Sequence, residues 1–133
     1  MVRAQPGLKY LSQHDTMNNK TYRAINYPLE SYANKAIVDV SFTFTLSDGS
    51  PYDFTGNAGL FLSIYDRKDG KLIKQWIDSK GLDLYGSTIL WNERDATAMA
   101  FSLGKYYYEL GYTIVDYSIE DQIPLIFGEM KFI

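Results

Sequence analysis

A hydrolase built around a nucleophile needs a general base, most often His, and a third group to orient it. This chain has one His and no Cys. His14 stands beside Asp15 in a stretch with neither strand nor helix period, so it reads as a solvent-facing residue of an arm rather than as a base. The same two counts leave no ligand set for zinc or iron. Paired carboxylates are the other enzymatic route, since a glycosidase sets two of them across a cleft. The acids Asp48, Asp53, Asp66, Asp69, Asp78, Asp83, Glu93, Asp95, Asp116, Glu120 and Asp121 fall mostly in turn-forming sequence, where solvation accounts for them. Oxygens at Asp48 and Asp53, or at Asp66 and Asp69, could meet calcium, but neither pair has the spacing of a twelve-residue calcium loop. No glycine-rich phosphate loop occurs. Trp76, Trp91, Tyr85 and the tyrosine-rich strand could stack against sugar; in the alternative, the tryptophans are core and the tyrosines lie at strand edges. The sequence therefore assigns no catalytic residue, no metal ligand and no cofactor.

The elements that would position any site are strands. Residues 105–115, KYYYELGYTIV, put Tyr106, Tyr108, Leu110, Tyr112 and Ile114 on one face, read as core, and Tyr107, Glu109, Gly111, Thr113 and Val115 on the other. Residues 36–46 alternate Val38, Val40, Phe42, Phe44 and Leu46 against Asp39, Ser41, Thr43 and Thr45, the pattern of an antiparallel sheet with one wet face. Residues 59–66 and 71–77 flank an Asp-Gly turn and predict a hairpin. Short strands follow at 87–93 and 124–133, residues 78–86 read as a loop, and Asp95 can cap a helical turn within 95–103. The expected core is Val38, Val40, Phe42, Phe44, Leu60, Leu62, Ile64, Trp91, Tyr108, Leu110 and Tyr112. The fold class these strands predict is all-β, an antiparallel β-sandwich, with a closed barrel second.

Residues 1–34 read differently, as an extended N-terminal arm before a sandwich domain at 35–133. The arm is rich in Asn, Ser and Thr, yet carries Tyr10, Tyr22, Tyr27 and Tyr32. A disordered tail has few aromatics, so these rings predict that the arm lies along a surface, either its own domain's or a neighbour's. Twelve tyrosines in 133 residues exceed what one small core needs, and Tyr is favoured at interfaces. Tyr10, Tyr22, Tyr27 and Tyr32 are thus the expected partner-binding residues, with lesser contacts around Tyr52 and Tyr85. A net charge of −3 without long charged runs speaks against nucleic acid, and no apolar stretch approaches a signal peptide or membrane span. A soluble protein made in the cytoplasm is expected.

Two segments also resemble a known family. Residues 38–73 contain Asp48-Gly49, then Pro51-Tyr52-Asp53-Phe54-Thr55-Gly56, then the hairpin over 60–71; residues 99–133 contain GKYYY at 104–108 and GEMKFI at 128–133. Together they are similar to the immunoglobulin-like modules of tailed-bacteriophage virion proteins, including the N-terminal domain of baseplate upper proteins. The resemblance implies an immunoglobulin-like sandwich and a non-enzymatic structural role in the virion, in the tail, baseplate, neck or head fibre and decoration. It also implies other virion proteins or further copies of the chain as partners. The rival expectation is a carbohydrate-binding or receptor-binding module.

Overall fold

In a computed structural model, residues 10–16, 19–46, 48–52, 54, 59–116 and 119–133 are described, with side chains from 24 onward except at 114–122. Among them are β1 (Tyr10–Thr16), β2 (Asn19–Arg23), β3 (Ile25–Asn26), β4 (Leu29–Ser31), β5 (Ile37–Thr43), β6 (Thr45–Leu46), β7 (Leu60–Tyr65), β8 (Leu72–Asp78), β9 (Gly81–Tyr85), β10 (Thr88–Glu93), β11 (Gly104–Asp116) and β12 (Ile119–Phe132). The fold is all-β. Among the described residues a single 3-10 turn, Ala96–Met99, is capped by Asp95, whose carboxylate accepts from Thr97 N at 3.0 Å and Thr97 Oγ1 at 2.6 Å.

The main sheet runs β3-β12-β11-β7-β8-β9-β10-β5, with β4 also on β12, while β2-β1-β6 forms a smaller one. The sequence predicts an antiparallel β-sandwich. The observed sheet is mixed, because β3 and β4 join β12 in parallel and β8 meets β9 in parallel through Ile77↔Gly81 and Asp78↔Leu82. It must also curl. Laid flat, the seven intervals from β4 to β5 would span roughly 34 Å at about 4.8 Å each. The five residues 32–36 that join those strands reach no more than about 20 Å.

The curl has a corner at 79–81. Ser79 and Gly81 take positive φ of 65° and 101°, and Ser79 N donates to Leu82 O at 2.8 Å. A Cβ on Gly81 would lie 2.6 Å from Trp76 Cδ1, so glycine is needed where the ladder turns onto the indole. Residues 78–86, read as a loop from sequence, thus contain β9, which places only Leu82 deep in the core.

Inside the curl lies one apolar core. Trp76 meets Trp91 edge to face at 5.0 Å, Phe101 stacks on Phe132 at 4.2 Å, and the Tyr52 hydroxyl donates to the Tyr112 hydroxyl at 3.4 Å. Ten of the eleven expected core residues are buried. Val38 is the correction, being 48% exposed. The pairs Trp91↔Val40 and Glu93↔Ile37 set three steps of β5 against two of β10, so β5 carries an extra residue. Asp39 absorbs it at φ 51°, with its N–H donating to Asn92 Oδ1 at 2.7 Å, and Val38 is turned outward. Ile37 is buried in its stead.

β7 is the strand most enclosed. Leu60, Leu62 and Ile64 face the core, and Phe61 and Ser63 on the opposite face are buried as well. Ser63 Oγ accepts from Gln75 Nε2 at 2.8 Å, which satisfies the one buried polar side chain of that strand.

Candidate functional site

The tyrosines expected to bind partners fall in three settings. Tyr10 and Tyr22 lie on β1 and β2, where their backbones pair with Thr45 and Gln13. Their side chains, like those of His14 and Asp15, are outside the described residues. Tyr27 is half-buried against the core of its own domain. Its N–H donates to Phe127 O at 2.8 Å and its carbonyl accepts from the Tyr108 hydroxyl at 2.5 Å. Burial of that phenol pushes the Tyr108 pKa far up, helped by the neighbouring Tyr27 and Tyr107. Two residues on, Leu29 enters the core opposite Met130. The later part of the arm, residues 24–34, is therefore laid along the β12 edge of its own sheet.

Tyr32 is the exception, with 62% of its surface exposed. It sits where the two ends of the curled sheet come together, in a cleft of about 280 Å³ that also involves Glu30, Lys35, Val38 and Val40. β4 pairs with β12 and β5 pairs with β10, and neither ladder continues across this cleft. The curl thus has a seam, with a strand edge on each side and the apolar side chains of Tyr32 and Val38 exposed at it. Such edges present unpaired main-chain groups and are templates for another strand.

A second surface lies on the outward face of β12, β11 and β7. The rings of Phe127, Tyr107 and Tyr65 follow one another at 6.3 and 6.1 Å, tilted by 43° and 45°. All three are half-buried. The Tyr107 hydroxyl donates to Glu109 Oε2 at 3.3 Å. Desolvation, then the Glu109 charge, pushes the Tyr107 pKa up to about 12. Tyr107 separates a small cleft of about 150 Å³, shared with Tyr65, Asp69 and Glu109, from a larger one of about 600 Å³ reaching Arg67, Lys105 and Glu129. From the alternation alone, this side of the 105–115 strand is simply the face away from the core. The signal the sequence offered was an aromatic at an outward position in each of three strands, Tyr65, Tyr107 and Phe127.

Three of the carboxylates considered for chemistry, Asp48, Asp66 and Asp95, hold turns. Asp48 accepts from Ser50 Oγ at 2.5 Å and Ser50 N at 2.9 Å, which holds its carboxyl below the usual range. Asp66 Oδ1 accepts from Lys71 N at 2.8 Å and closes the hairpin. Asp95 is likewise held below its usual range by Thr97. Asp53 is outside the described residues, as are the side chains of Asp116, Glu120 and Asp121. Among the described residues no three His, Cys, Asp or Glu side chains gather as a metal site would require, and no helix is long and apolar enough to cross a membrane.

Trp76 and Trp91 are both buried, with Trp76 Nε1 donating to Glu93 Oε1 at 3.0 Å. Neither indole can offer a flat face to a ligand, although Tyr85 is exposed. Tyr52 is buried with Phe54 at 4.6 Å, so its ring belongs to the core. No family model matches the chain, and no curated protein matches it.

Proposed function

We propose that this chain is a non-enzymatic structural protein of a tailed-bacteriophage particle, an immunoglobulin-like module that assembles in several copies or with other virion proteins. It would be made in the host cytoplasm and act in the finished virion. The observation that carries the reading is the seam between β4 and β5. A neighbour's extended segment laid there would bond to strand edges on both sides and cover Tyr32 and Val38. The chain uses the same device internally, since β3 and β4 are short segments added in parallel to β12, with Leu29 buried and Ile25 and Tyr27 packed against the core. The resemblance at residues 38–73 and 99–133 supplies the kind of assembly.

The role is tested by mass spectrometry of gradient-purified particles from the genome that encodes the chain. Peptides of this protein are expected at a fixed copy number relative to the major tail and capsid proteins. Their absence from particles, with the protein present in the infected-cell lysate, would overturn the assignment.

A further inference from the structure

We infer that the outward face of β7, β11 and β12 is a binding site for a neutral oligosaccharide, with Tyr107 at its centre. The inference is independent of the assembly role and uses a different surface.

Three half-buried rings in a row, Phe127, Tyr107 and Tyr65, offer apolar faces at spacings of 6.3 and 6.1 Å. Pyranose rings present apolar C–H faces to such aromatics while their hydroxyls seek polar partners at the rim. Those partners are present in both senses. Asp69 and Glu109 are acceptors on one side of Tyr107, and Lys105, Arg67 and Glu129 offer donors and an acceptor on the other. The larger cleft, about 600 Å³, falls within the roughly 300–1,000 Å³ of small-molecule sites, and Tyr107 lines both it and the smaller one. Two clefts flanking one ring suit a ligand of more than one sugar unit.

Other ligand classes fit the same face less well. A peptide binding by strand addition needs a free edge, yet β11 is paired on both sides by β12 and β7, and β7 by β11 and β8. An anion such as a phosphate would meet Glu109, Asp66, Asp69 and Glu129 together with the lysines and arginine, and the Lys105–Glu129 contact at 3.7 Å already offsets one cation. A mixed-sign rim around aromatic rings favours an uncharged, hydroxyl-rich ligand.

The turn over 66–70 sets the geometry. Asp69 takes φ 60°, and Asp66 N bonds to Lys71 O at 3.0 Å, so the hairpin tip is fixed beside Tyr65 and Tyr107. The rings themselves are held by cross-strand register, Tyr107 opposite Tyr65 and Phe127 opposite Glu109. The site is thus formed in the free protein and requires no closing segment.

The test applies the full chain to an array of neutral and acidic glycans, followed by calorimetry with the neutral oligosaccharide that gives the strongest signal. Binding to neutral glycans is expected, weakened at least ten-fold by Tyr107→Ala and several-fold by Asp69→Asn. The second variant lies on an exposed turn, and Asn accepts the same positive φ, so it reports on binding even where Tyr107→Ala disturbs the fold. Binding by Val38→Lys at wild-type strength would keep this site separate from the seam. Absence of any neutral glycan signal, binding of acidic glycans alone, or unchanged affinity in Asp69→Asn would overturn the inference.

Discussion

Replacing Leu29 with Ala tests whether residues 24–34 are part of the folded domain. Leu29 is 4% exposed and stands opposite Met130 on β4, a three-residue strand. The change removes three carbons from the core, worth roughly 2.4 kcal/mol at ~0.8 kcal/mol per buried methylene. A residual cavity adds to this, and measured Leu→Ala costs run about 2–5 kcal/mol. β4 lies at the rim of the curl, next to the seam, where neighbours can relax inward, so the expected loss is in the lower part of that range, about 2.5–3 kcal/mol. Urea unfolding followed by tryptophan fluorescence is a suitable assay, because Trp76 and Trp91 are both buried. With an m-value of ~2 kcal/mol per molar, the midpoint should fall by about 1.3 M. Tyr32→Ala, three residues away and exposed, should stay within ~0.5 kcal/mol of the parent. A Leu29→Ala cost below ~1 kcal/mol at unchanged m-value would refute the placement of this segment in the core.

High pH should weaken the protein through its buried phenols. Tyr108 and Tyr107 both have raised pKa values in the fold, so the neutral form is the one folding favours. Their contribution is therefore complete below the unfolded value of about 10 and is lost above it, over pH ~10–12 for Tyr107 and further up for Tyr108. Tyr108→Phe should cost about 1 kcal/mol at pH 8 by removing the bond to the Tyr27 carbonyl, and should flatten the decline in urea midpoint above pH 10. Equal slopes for parent and variant would contradict this. Gly111→Ala should be among the most damaging single changes, because its Cβ would lie 2.0 Å from Ile123 O and 2.7 Å from Pro124 Cα. These are backbone atoms at the β11–β12 bulge and cannot swing aside; a cost above ~3 kcal/mol, or failure to fold, is expected in thermal or urea unfolding, and a stable variant would show the bulge to be misplaced.

The elements legible in the sequence were those whose periodicity reflects burial on one face. Val40 and Phe42 alternate because β5 has one core face, Phe44 keeps the alternation just past its end, and Tyr108, Leu110 and Tyr112 alternate for the same reason in β11. The alternation misleads at Val38 because the bulge depends on Asn92, 53 residues away, taking the Asp39 N–H. β9 is hidden because it contributes one deep side chain, Leu82, between a corner and a turn. β3 and β4 are hidden because two- and three-residue strands have no period; Leu29 and the main-chain bond of Tyr27 hold them, and both depend on a strand a hundred residues later in the chain. The seam and the ring row were equally out of reach, since each is made by side chains of distant strands meeting only after the sheet curls. What could be read was the material: outward tyrosines at Tyr32, Tyr65 and Tyr107 in excess of the needs of the core.

The measurement that bears most directly on assembly through the seam is the mass of the full chain in solution, by light scattering across a concentration series, beside Val38→Lys. Val38 is exposed at the β5 edge, so lysine there leaves the core intact while placing a charge where an incoming strand would lie. A multimer is expected for the parent and a folded monomer of unchanged urea midpoint for the variant. A parent that stays monomeric at the highest concentration, or a Val38→Lys chain that assembles as the parent does, would contradict assembly through the seam.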